Sequence, residues 1–287
     1  MSQSRLAKGF LVDYATSVLG ILGATLIPAY VALYLVNGLS FIRIRYVAAA
    51  AIGLSFWFFL DTILDSTELG VNSGFTGGIS QAGLLIAFIL AIITLAIFDN
   101  YAVPEEKSSS TINVVSTKRP NNLLLYLIPV AVAAVMGIHG LGEGWDFGSA
   151  AAPAPASLVD AFGGWGAVAS YPIHKFLEAS IIGVVYSAYV GRSELPKAKW
   201  HLPVLGLFFW LPSVIGAAMG YYVSLDTTYF FAFGFAAAFY AVIRLVEVMH
   251  PQNFRIGETA PSYLGWKIFL ALAVGFLLFY TAALLHS

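Results

Sequence analysis

Met136–Gly148 reads MGIHGLGEGWDFG, with a histidine and a glutamate four residues apart inside a long apolar stretch. Whether that stretch is a membrane helix decides the fold. Of the 287 residues, 59% are hydrophobic and 10% charged, against roughly 25% charged in an ordinary soluble domain, and the mean hydropathy is +0.83. The chain is therefore read as membrane-spanning. A helix needs about 20 apolar residues to cross ~30 Å of hydrocarbon. Working outward from Met136 in both directions, runs of that kind are found at Leu11–Val36, Tyr46–Leu64, Ile79–Phe98, Leu123–Gly142, Trp165–Val190, Leu202–Val223, Tyr229–Met249 and Leu264–Leu285. The runs are continuous rather than alternating, and a helix satisfies its own backbone in lipid, so helices are expected rather than a barrel. The fold class is all-α, a polytopic membrane protein: one transmembrane domain of eight helices over residues 1–287.

Charge orients the spans. Arg43 and Arg45, Lys107, Lys118 and Arg119, then Arg192, Lys197 and Lys199, and Arg255 fall in connections that share one side. The other side holds Asp65, Glu68, Asp146, Asp160 and Asp226, with Arg5 and Lys8 at the N-terminus. The positive-inside rule then puts both termini outside, in a multi-pass protein of the cell membrane. The run after the first charges is span-length and shows no small-residue cleavage site, so the first span is expected to be retained. A cytoplasmic loop over 101–122, polar and Ser-rich from Pro104 to Asn122, and a shorter one over Gly191–His201 divide the spans 3+2+3. Odd outer blocks allow an inverted repeat around a midplane site. With a formal net charge of -1 and no cysteine, nothing suggests nucleic-acid binding, a disulfide framework or a thiolate site.

Ionisable side chains within spans are costly, so each is a functional candidate. His139 and Glu143, His174 and Glu178, and Asp61 and Asp65 are all i, i+4 pairs, each on one helical face. Two imidazoles and two carboxylates from facing helices make a four-coordinate site suited to Zn²⁺, and the same donors accept Fe²⁺ or Mn²⁺. A single pair is equally able to hydrogen-bond across a helix interface, but two consecutive spans with the same spacing favour coordination. Gly137, Gly140, Gly142 and Gly144 predict a close neighbour and a bend in the fourth span, and Pro172 a looser fifth span. His201 and His286, in a loop and at the tail, are expected to be solvated.

These two helices resemble the fourth and fifth of the ZIP (Zrt/Irt-like) metal transporters, whose usual wording is H-N-x-P-E-G followed by H-x-x-x-E. LDTILDS at Leu60–Ser66 falls where that family's second helix often reads H-x-x-P-E, and Phe233–Pro251 resembles its seventh, ending near Glu247 and His250. The likeness covers nearly the whole chain, although only the two H-x-x-x-E helices are specific. It implies a carrier, not an enzyme, that imports a divalent metal to the cytoplasm through His139, Glu143, His174 and Glu178. Where family members build a second metal site, this chain has Gly140, Lys175 and Leu211. A single metal is therefore expected, with Lys175 placed to repel a second cation and to pair with Glu143 or Glu178. The fourth-helix proline is replaced by Gly142, and the loop after span three has no histidine cluster.

Asp61, Asp65, Glu68, Asp146 and Asp160 are candidates for the outer access path, and Glu247 and His250 for an exit relay, with Arg244 available to tie Glu247 into a salt bridge. The implied partners are a divalent metal ion and the lipid bilayer, with a homodimer left open. The alternatives are a membrane-embedded zinc-dependent hydrolase, for which no H-E-x-x-H or serine beside a His–Asp pair is found, and a metal receptor that does not transport.

Overall fold

The computed structural model describes residues 25–38, 44–67, 79–102, 122–151, 159, 164–190, 195–249 and 265–284. Among them there is no strand, and eight long helices follow in chain order: α1 (Thr25–Gly38), α2 (Ile44–Thr67), α3 (Ile79–Ala102), α4 (Asn122–Ala151), α5 (Trp165–Tyr189), α6 (Leu195–Tyr222), α7 (Thr228–Met249) and α8 (Trp266–Leu284). Each falls on one of the eight apolar runs. Four contain stretches long and apolar enough to cross a membrane: Gly83–Asn100, Leu125–Ser149, Lys199–Tyr222 and Thr228–Val246. In α5 the run is broken by His174, Lys175 and Glu178.

The most extensive helix pair is α4 with α6, and its basis is glycine. A Cβ built on Gly144 would land on the Ser213 carbonyl, and one on Gly148 on that of Ala217; reciprocally, one on Gly216 would land on the Leu141 carbonyl. Small residues four apart on both helices let the backbones touch, the packing mode that substitutes for a hydrophobic driving force in lipid. Proline contributes as well. Pro212 has no N–H for the carbonyl of Phe208, and that carbonyl lies against Gly137 instead.

On the other flank α2 packs against α8 and α7, and α3 against α7 and α4. In α3, Leu85, Ile86, Ile89, Leu90 and Ile93 are exposed, as expected of a lipid-facing surface. α5 reaches α4, α2, α8, α7 and α6, and Val36 of α1 meets it at Gly183. Tyr30 of α1 donates to the Pro203 carbonyl of α6 at 3.0 Å. Buried alanines and branched side chains of α1, α2, α4, α5 and α7 form one continuous core.

α4 continues past the end of its apolar run at Gly142 to Ala151, because α6 covers the glycines that would otherwise weaken it. Two expectations are corrected. The supposed loop Gly191–His201 is helical from Leu195, with Pro196 in the first turn, where its missing N–H is harmless. His201 is accordingly not a solvated loop residue: it stacks on Tyr126 with ring centroids 4.1 Å apart, and its Nδ1 lies 3.1 Å from the Tyr186 hydroxyl. His286 and residues 103–121 lie outside the described residues.

Candidate metal centre

One helical turn separates His139 from Glu143 on α4 and His174 from Glu178 on α5, so each helix offers a nitrogen and an oxygen from a single face. The structure brings all four together. Glu178 Oε1 lies 3.1 Å from His174 Nε2 and 3.5 Å from His139 Nε2; Glu143 Oε1 lies 3.3 Å from His139 Nε2 and 3.8 Å from His174 Nε2. One ligand atom from each residue falls within 4.8 Å of all the others. Four donors at about 2.0 Å from a tetrahedral ion stand about 3.3 Å apart, close to the four His–Glu separations seen. His139 and Glu178 are buried at 3% and 0% exposure, and His139 sits near the middle of the apolar stretch Leu125–Ser149.

Lys175 completes the cluster. Its Nζ is 2.6 Å from Glu178 Oε2 and is also paired with Glu143 Oε2. Lysine thus holds the outer oxygen of both carboxylates, leaving the inner Oε1 atoms to the imidazoles. With neutral imidazoles the group keeps one net negative charge. A buried charge must be paired and hydrogen-bonded to be tolerated, and each carboxylate here meets both the ammonium and the imidazoles.

Other helices shape the pocket. Tyr171 donates to Glu143 Oε2 at 3.3 Å, and Phe231 and Phe279 set their rings at steep angles to His139 and His174. A Cβ on Gly234 of α7 would fall 2.7 Å from His139 Cγ, and one on Gly140 would fall 2.6 Å from Ser213 Oγ. Glycine at these two places makes room for the imidazole and for a side chain of α6. Of these supporting residues the sequence pointed only to Gly140, as one of the glycines that announce a close neighbour; the fit of Gly234 to the imidazole leaves no local signal, whereas Tyr171, three residues before His174, was available to be noticed.

Among the described side chains, no other candidate acid joins this group. Asp146 is exposed on the extension of α4, less than a turn beyond Glu143, and accepts from the Thr227 hydroxyl at 2.8 Å and 3.0 Å. Asp61 and Asp65 lie in the last turns of α2 and Glu247 in α7, but their side chains lie outside the described residues, as do Glu68, Asp160 and His250. Arg244 pairs with Asp99 of α3, which also accepts from the Tyr240 hydroxyl at 2.5 Å, while its expected pairing with Glu247 falls on a side chain outside the described residues. The chain matches none of the family models and none of the curated proteins with which it was compared.

Proposed function

We propose that the chain is a divalent metal carrier of the kind the ZIP resemblance implies, with eight spans arranged 3+2+3 and both termini outside. It imports zinc, or with other affinities iron or manganese, to the cytoplasm through the single His139, Glu143, His174 and Glu178 site. The observation that supports this reading is the convergence of two imidazoles and two carboxylates, from two apolar helices, on one enclosed point. Enclosed ionisable groups in a membrane protein are expensive and mark ion paths. A carrier must replace the ion's hydration shell and still release the ion, and a mixed nitrogen and oxygen donor set suits that compromise. Two ligands on each of two helices also mean that a small relative movement of α4 and α5 dismantles the site, coupling release to conformation.

Zinc flux tests it. Liposomes containing the purified protein should accumulate Zn²⁺, and His139→Ala or Glu178→Ala should abolish accumulation. Binding without flux would instead identify a receptor, and turnover of lipid a hydrolase.

A further inference from the structure

The lysine inside the cluster suggests which ions the site accepts. A carboxylate can hold a metal through one oxygen or through both. Two imidazoles with two chelating carboxylates offer six donor atoms, whereas the same residues with one oxygen each offer four. The outer oxygens of Glu143 and Glu178 are both engaged by Lys175 Nζ, and Glu143 Oε2 also accepts from Tyr171. The inner oxygens face the two Nε2 atoms at 3.1–3.8 Å. An ion among the inner atoms and the ammonium on the outer ones therefore use different oxygens and can be present together.

We propose that Lys175 sets the coordination number of the site at four, by withholding one oxygen of each carboxylate, and so makes it selective for ions that accept tetrahedral geometry. Zn²⁺ and Co²⁺ are favoured, and Mn²⁺, which prefers six oxygen-rich ligands, is disfavoured. This deepens the carrier reading and rests on it for the four ligands. The aromatic rings of Tyr171 and Phe209, 5.5 Å and 5.3 Å from Nζ, help confine the ammonium between the carboxylates. Lys175 acts on the ion through its ligands, as a positioning residue.

Cobalt reads coordination number directly, because four-coordinate Co²⁺ absorbs visible light far more strongly than six-coordinate Co²⁺. Wild-type protein in detergent should bind one Co²⁺ with the intense tetrahedral bands. Lys175→Gln removes the ammonium from both outer oxygens, freeing that of Glu178 and leaving only Tyr171 on that of Glu143; it should weaken those bands and lower the ratio of Zn²⁺ to Mn²⁺ affinity by about tenfold or more. Lys175→Arg, which keeps the charge and the donors, should retain the wild-type spectrum. Weak six-coordinate bands in the wild type would overturn the proposal, even if the Gln variant failed to fold. So would a Gln variant with an unchanged spectrum and an unchanged Zn²⁺ to Mn²⁺ ratio. A wild-type protein that bound neither Co²⁺ nor Zn²⁺ would remove the metal centre itself, and this inference with it.

Discussion

Replacing Glu178 with glutamine isolates what its charge contributes, because the two side chains have the same shape and no cavity is left. Glu178 is fully buried, with Oε1 facing His139 and His174 and Oε2 on Lys175. The amide must place its NH₂ at one of these positions. Toward Lys175 it sets donor against donor; toward the imidazoles it removes a metal ligand. The first arrangement loses one charge-assisted hydrogen bond, about 1.5–3 kcal/mol. The second loses a direct ligand, and since even an outer partner of a ligand is worth 10–100-fold in affinity, a loss of at least about 100-fold in zinc affinity follows. Competition with a chromogenic zinc chelator, run beside a tryptophan-monitored melt, measures affinity and stability on one preparation. A folded Glu178→Gln variant that binds zinc within about threefold of wild type and loses less than about 1 kcal/mol of stability would refute the reasoning.

Other perturbations address the scaffold and the protons. Gly144→Leu forces a side chain into the Ser213 carbonyl and should destabilise the α4–α6 pair by about 1–3 kcal/mol or more, seen as a lowered melting temperature. Arg244→Met leaves Asp99 without its cation; the pair is partly exposed, so a loss of about 1–3 kcal/mol is expected, less than for an enclosed pair, and a second change of Asp99→Asn should restore part of it. Zinc needs neutral imidazoles and ionised carboxylates, so metal and protons compete: affinity measured across pH should fall as the solution is acidified and zinc binding should release protons, whereas a flat profile would contradict the ligand set.

What could be read in the sequence was what local spacing encodes. A four-residue separation places His139 with Glu143, and His174 with Glu178, on single helical faces without knowledge of any partner, and apolar runs locate all eight helices. That Lys175 would reach Glu143 or Glu178 also followed, since Glu178 is one turn away and Glu143 was already assigned to the same site. Partners distant in the chain were harder to see. Arg244 joins Asp99 on another helix, a pairing set by packing that no local spacing announces. His201 was misjudged because PKAKWH is polar enough to pass for a loop, while Tyr126 and Tyr186, which receive its ring, are contributed by α4 and α5. The glycines of α4 announced a close neighbour; that the neighbour is α6, and that its cover keeps α4 helical through Gly144 and Gly148, depends on the facing carbonyls.

X-ray absorption at the zinc edge of the purified, zinc-loaded protein tests the central claim most directly. One zinc per chain is predicted, ringed by two nitrogens at about 2.0–2.1 Å with imidazole outer-shell scattering and two carboxylate oxygens at about 2.0–2.2 Å, with the imidazole signal halved in His174→Ala. A chain that retains no zinc, or a zinc shell unchanged by that substitution, would contradict it.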